Sequence, residues 1–224
     1  MSDLNAVGNS LEIPFRTIGE SFRHFIEHHP KKIAIVSVDQ GFSLDFKRLN
    51  DLVERSACAM LELGVKPGDR VAILSGECVE KLVLMFATWR CGASACPFHT
   101  EIHSDHLKDI LKTINPALVV WRQDMDGLAL TKGLNCSTSA FSQLNERKGF
   151  FSFSGNLLPF PSCEREYGPG DEGCIFATSG TTDRPKCVVW DHLGLWMCGL
   201  STINFTAMNT DDRILEYRTF SWLS

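Results

Sequence analysis

The chain has 224 residues, 44% of them hydrophobic, and a formal net charge of −5, enough material to bury a core as one large domain or two small ones. Its basic residues are scattered rather than gathered into a stripe, which excludes the electrostatic footprint of a nucleic-acid binder. The start, MSDLNAVGNSLEIPF, has no basic segment followed by an apolar one, and nowhere do about 18 apolar residues run together; the expectation is a cytoplasmic chain without a membrane span.

In chain order, TIGESFRHFIEHHP opens with Thr17 and Glu20 at capping-box spacing and sets Ile18, Phe22, Phe25 and Ile26 on one side before Pro30, which predicts an amphipathic helix. KIAIVSVDQGFSL alternates around Ile33, Ile35 and Phe42 with Gln40-Gly41 as the turn of a short hairpin. Between Leu44 and Leu63, apolar residues Leu49, Leu52, Val53, Ala57, Met60 and Leu61 recur at helical spacing, and Gly64 stands where the helix should stop. The run RVAILS, a helix from about Val79 to Trp89, the run ASACPF, a helix whose N-cap is Ser104, and the run ALVVW follow. Strands alternating with helices of about a dozen residues imply an α/β fold, a mostly parallel sheet flanked by helices on both faces. From Arg122 to Tyr167 the periodicity fades into a connecting region; GCIFA, KCVVW and RILEY read as strands, with a helix near residues 192 to 206 before the last of them.

The nine cysteines are odd in number, lack CxxC pairs and include Cys58, Cys91 and Cys174 inside apolar runs; they read as reduced core thiols, and Cys91 with Cys96 has no metal or redox spacing. GPGDEG, residues 168 to 173, matches GxGxxG literally, but it precedes a strand and carries Pro169, Asp171 and Glu172, so it reads as a linker turn. His99, His103 and His106 stand at i, i+4 and i+7, yet a helix beginning at Ser104 separates the first two from the third, and they read as surface loop residues. His192 either caps the following helix or faces a ligand, with the structural role preferred.

The stretch CIFATSGTTDRPKCVVWDH packs hydroxyls and one glycine between an apolar run and Pro185-Lys186. A loop joining two buried strands of an open α/β sheet emerges where ligands sit. Hydroxyls donate to phosphate oxygens, Gly180 lets the backbone bend so that N–H groups converge, and Lys186 adds a point charge. The Walker A order GxxxxGK[ST] is absent, so this is a different phosphate grip.

TSGTTDRPKCVV resembles the phosphate loop, commonly TSGTTGxPKGV, of the adenylate-forming superfamily of acyl-CoA synthetases, peptide-synthetase adenylation domains and luciferases. GFSLDFKRLNDLVERSACAMLELGVKPGDRVAIL and MFATWRCGASACPFHTEIHSDHLKDILKTINPALVV are similar to that family's early segments, so the resemblance runs from about Phe15 to Ser224. It implies residues 1–14 as an N-terminal extension and 15–224 as a partial adenylate-forming domain whose C-terminal domain is absent. The implied reaction is attack of a carboxylic acid on ATP with Mg2+, giving an acyl-adenylate, then transfer to CoA as co-substrate, as in the acyl-CoA ligase branch; a carrier-protein thiol or luciferase-like acceptor is the alternative. By the same resemblance Thr178, Ser179, Gly180, Thr181 and Thr182 hold the β and γ phosphates, Lys186 offsets their charge, and Trp222 lies where the acyl pocket begins.

Three departures accompany the resemblance. Asp183 occupies a usual glycine position, and a carboxylate about 5 Å from a phosphate charge costs roughly 3 kcal/mol at an effective dielectric near 20 unless Arg184 or the metal compensates. Cys187 takes the glycine position after the lysine and is expected only to join the next strand. The family's Tyr-Gly-x-Thr-Glu type motif and late lysine do not occur in these residues, from which the expectation is a fragment or truncated form with little turnover alone, or a binding module without catalysis.

Overall fold

A computed structural model describes residues 15–144, 168–178 and 186–216. Helix α1 (Ile18–His28) starts as its sequence dictates: the Thr17 hydroxyl accepts from the Glu20 N–H at 3.1 Å, and Glu20 returns the bond to the Thr17 N–H at 2.6 Å. This reciprocal cap satisfies two N–H groups that a helix start would otherwise leave orphaned. The buried Phe22 ring then stacks on Phe86 with centroids 4.6 Å apart. Strands β1 (Ile33–Ser37) and β2 (Phe42–Asp45) form the antiparallel hairpin, with Gly41 at φ 72° supplying the left-handed turn. Helix α2 (Phe46–Glu62) is capped by Asp45, whose carboxylate accepts from the Arg48 N–H at 2.7 Å.

Among the described residues the main sheet contains six strands: β3 (Arg70–Leu74), β4 (Ser94–Phe98), β5 (Leu118–Arg122), β6 (Ser137–Phe141), β7 (Glu172–Thr178) and β8 (Lys186–Asp191). Their spatial order is β6-β5-β3-β4-β7-β8, parallel throughout except for the antiparallel β7–β8 pair. Helices α3 (Val79–Arg90) and α4 (Ser104–Ile114) are crossovers, and short α5 (Gly127–Thr131) joins β5 to β6. This is the expected α/β architecture with helices on both faces.

The period-two alternation of the strands divides the core. Val71, Ile73, Ala95, Leu118, Val120, Cys174 and Phe176 join Val53, Met60, Val83, Leu84 and Ala87 of α2 and α3. Their sequence neighbours Ala72, Leu74, Cys96, Phe98, Val119, Trp121, Ile175 and Ala177 join Leu107, Ile110, Leu111 and Ile114 of α4. Because both faces are covered, these strands read as unbroken apolar runs rather than alternating ones.

Three expectations are corrected. The stretch read as a connecting region contains α5 and β6, missed because β6, STSAF, buries only Phe141 and so offers little apolar signal. Helix α4 takes His103, not Ser104, as its N-cap, the imidazole accepting from the Asp105 N–H at 3.4 Å. Residues 213–216 of RILEY form no strand; Ile214 and Leu215 are exposed.

The GPGDEG turn is a linker as expected, and it also starts the last helix, α6 (His192–Thr206). The Asp171 carbonyl accepts from the His192 N–H at 3.0 Å and the Pro169 carbonyl from the Leu193 N–H at 2.9 Å. The Asp191 carboxylate takes the Gly194 N–H at 2.6 Å, so three of the helix's first donors are satisfied from outside it. His192 is buried at this junction; it is the first residue of α6 and not its cap, which is Asp191, so the capping role expected of His192 is corrected. Burial pushes its imidazole below the ordinary 6.5, against the opposing pull of Asp171 and Asp191.

Two outcomes follow from this packing. An ideal Cβ at Gly127 would lie 1.9 Å from the Trp121 ring, whereas one at Gly76 meets nothing within 4 Å; Gly127→Ala should lose about 2 kcal/mol or more in urea denaturation while Gly76→Ala stays near wild type. Because the folded-state imidazole of His192 resists the proton that the unfolded chain accepts, its contribution is complete above pH 6.5 and is lost as pH falls below it. Stability measured from pH 7 downward should therefore decline more steeply for wild type than for His192→Gln.

Candidate functional site

The hydroxyl loop is the tip of the β7–β8 hairpin, and the register of that hairpin places its ends. Facing pairs run Cys174 with Trp190, Ile175 with Val189, Phe176 with Val188, Ala177 with Cys187 and Thr178 with Lys186. Thr178 and Lys186 thus stand opposite each other at the mouth, and the Thr178 hydroxyl donates to the Lys186 carbonyl at 3.4 Å. Ser179, Gly180, Thr181, Thr182, Asp183 and Arg184, together with Trp222, lie outside the described residues.

Since β7 runs parallel to β4, Thr178 sits at the carboxyl edge of the sheet with the last residues of β3, β4 and β5. The carboxyl edge is where open α/β sheets bind ligands. The two strands differ in their surroundings, however. Strand β7 is buried from Gly173 to Ala177, while β8 is half-buried or exposed along its length and stands last in the sheet among the described residues. The expectation of two buried strands is corrected accordingly: KCVVW is apolar in composition, but among the described residues it has a strand neighbour on one side only. Lys186 is exposed.

The base of β7 is fixed by a residue that sequence reasoning passed over. The Arg70 guanidinium donates to both Glu172 carboxylate oxygens, Nε to Oε1 at 2.8 Å and Nη2 to Oε2 at 2.7 Å, and Nη1 donates to the Ile114 carbonyl at 3.0 Å. One side chain therefore ties the start of β3 to the start of β7 and the end of α4. Burial works against the Glu172 carboxylate, but the bonds from Arg70 leave it below the ordinary range. A bidentate pair of this kind fixes orientation as well as distance. On the other face the Trp89 indole N–H donates to the Gly173 carbonyl at 2.7 Å, where the β7–β8 register shifts. A Cβ at Gly173 would approach the Leu195 Cδ1 methyl to 2.8 Å, so that side chain would have to shift to admit one. The only sequence signal for Arg70 is a charged residue heading an apolar strand.

Cys187 lies in β8 facing Ala177, as expected of a strand residue. Burial pushes its thiol up, against a lowering pull from Arg70, so it is a neutral packing group. Cys78 is likewise pushed up by burial, to about 11, with Glu80 adding to the rise. Of the three histidines at helical spacing, only His106 lies within α4; His103 caps it and His99 precedes it. Among the described residues no three His, Cys, Asp or Glu side chains are placed to share a metal ion, and no helix is long and apolar enough to cross a membrane.

Comparison with known proteins accords with this geometry. A long-chain-fatty-acid–CoA ligase of Mycobacterium tuberculosis is 25% identical over 202 residues, spanning 89% of this chain and 40% of the ligase. Gramicidin S synthase 2 of Brevibacillus brevis is 25% identical over 213 residues, spanning 94% of this chain and 4% of the synthase. Among solved structures, ATP-bound MatB of Rhodopseudomonas palustris superposes with a TM-score of 0.71 at 24% identity, over 87% of this chain and 39% of MatB. A chain from the same organism, assigned as a long-chain-fatty-acid CoA ligase, gives a TM-score of 0.75 at 24% identity over 88% of this chain and 50% of its own length. This chain spans half or less of these relatives. The sequence profile of the family described as AMP-binding enzyme matches residues 22–223, nearly the whole chain, and the protein belongs to that family.

Proposed function

We propose that this chain carries the polyphosphate grip of an adenylate-forming ligase that activates a carboxylic acid with MgATP. The observation that carries this reading is the pairing of Thr178 with an exposed Lys186 at the mouth of the β7–β8 hairpin, on the carboxyl edge of the sheet. The family match and the ATP named in the MatB structure support it. In this reading residues 15–224 are one part of the adenylate-forming domain, preceded by an extension of residues 1–14.

The residues divide the work by chemistry. Backbone N–H groups at Gly180 and the hydroxyls of Thr178, Ser179, Thr181 and Thr182 donate to the β and γ phosphate oxygens, while Lys186 offsets their charge. Mg2+ would neutralise the same oxygens. Holding the polyphosphate still lets a substrate carboxylate oxygen attack the α-phosphorus; the new acyl–phosphate bond forms as the bond to the β-phosphate bridging oxygen breaks and pyrophosphate leaves. A thiol then attacks the acyl carbon and AMP departs. CoA is the acceptor we favour, because both a curated relative and a solved chain that match here are assigned as CoA ligases; the peptide synthetases among the relatives share the first half-reaction. Trp222, close to the end of the matched stretch, would touch the acyl group.

Lys186→Ala should weaken MgATP binding about 10- to 100-fold by calorimetric titration, the range for losing a charge-assisted contact. Asp183→Gly should strengthen it, because the substitution removes a carboxylate from beside the phosphates. Unchanged affinity in Lys186→Ala would contradict the assignment.

A further inference from the structure

All seven histidines lie among the described residues, and what their ring nitrogens touch separates them. A ring nitrogen that accepts a hydrogen bond has committed its lone pair, and in a neutral imidazole the other nitrogen then carries the proton. Such a ring has no lone pair left for a metal ion. His99 and His103 are of this kind: the His99 Nδ1 accepts from the Glu101 N–H at 3.2 Å and the His103 Nδ1 from the Asp105 N–H at 3.4 Å. His192 is enclosed at the start of α6.

His28 is the opposite case. Its Nδ1 lies 2.8 Å from the His24 carbonyl oxygen, and a carbonyl only accepts, so Nδ1 bears the proton and Nε2 keeps its lone pair. Donation from one ring nitrogen to a backbone carbonyl is the arrangement that fixes the tautomer and raises the basicity of histidine metal ligands. His24 stands four residues earlier on the same side of α1, and both residues are exposed. Their rings face each other, with centroids 4.2 Å apart and planes inclined at 33°. Two imidazoles bound side by side to one ion at about 2.0–2.1 Å hold their centroids roughly 4.5–5 Å apart, which exposed side chains reach by a small torsional change. His103 and His106, also neighbours on a helix, stand 5.7 Å apart at 59°, and the Nδ1 of the first is already occupied.

We propose that His24 and His28 form a chelating site on α1 for a divalent transition-metal ion that prefers imidazole nitrogen, of the Ni2+, Cu2+ or Zn2+ class, with water in the remaining positions. Two nitrogens and water make an exchangeable site rather than a four-ligand structural one, in keeping with the lack of any group of three such side chains among the described residues. Mg2+ demands oxygen ligands, so the site is chemically distinct from the metal of the nucleotide reading and does not depend on that reading. The ion would bridge the turn whose Phe25 stacks on Phe46 with centroids 5.3 Å apart, pinning the end of α1 beside the start of α2.

The test is calorimetric titration of the untagged chain with NiCl2, after its accessible thiols have been blocked with N-ethylmaleimide so that cysteine does not compete. We expect one Ni2+ per chain, bound about tenfold or more weakly in His24→Gln and likewise in His28→Gln, because the second imidazole of a chelate binds intramolecularly. His29→Gln and His103→Gln should bind as the wild type does, and MgCl2 should not displace the ion. A chain that takes up no Ni2+, binding that survives in the double variant His24→Gln with His28→Gln, or binding that is lost with His28 but indifferent to His24 would overturn the proposal.

Discussion

The bidentate bond from Arg70 to Glu172 is the constraint on which the arrangement of the site depends. The central strand β3 holds β4 and β5 in parallel register on either side of it, but only Ala95 and Cys174 are paired partners between β4 and β7. A strand with so short a ladder needs other anchors. Arg70 supplies one at its start, and the Trp89 indole bond to Gly173 supplies a second from the opposite face. With the base of β7 fixed, the six facing pairs of the β7–β8 hairpin carry that order outward to Thr178 and Lys186. The two residues that flank the loop are therefore anchored through the strands behind them, as the ends of a loop must be if it is to hold a ligand with little ordering cost.

The same hairpin organises the end of the chain. Asp191 closes β8 and caps α6, while Asp171 and Pro169, just before β7, accept from the first N–H groups of that helix. Strand, hairpin and helix thus share one junction around the buried His192. Helix capping and the placement of the β7–β8 hairpin are coupled here by chain connectivity, since β8 ends at Asp191 and α6 begins at the next residue.

Much of the fold was legible because its signals are local or strongly periodic. Thr17 with Glu20, Gly41 in the hairpin turn and the apolar spacing of α2 each specify structure from a few neighbouring residues. The apolar runs of β3, β4 and β5 imply covering on both faces, and the helices between them imply parallel pairing. What the sequence conceals is set by tertiary position. KCVVW looks like a core strand, yet β8 has one strand neighbour among the described residues and lies half in solvent. STSAF looks like a loop, yet its pairing with β5 makes it a strand with only Phe141 needing burial. RILEY has strand composition but gains no partner among the described residues. At the site, the family resemblance pointed to the loop and its lysine, whereas Arg70 gave no signal beyond its place at the head of an apolar run. Its role exists only once α4, β3 and β7 meet.

The most direct test of the account is amide hydrogen exchange across residues 172–191 with and without MgATP. If the hairpin is a phosphate grip on a rigid stem, the stem amides of β7 should already be slow and unchanged, and nucleotide should add protection confined to the tip between Thr178 and Lys186. Saturating MgATP that leaves the tip exchange unaltered, or that protects a different edge of the sheet instead, would contradict it.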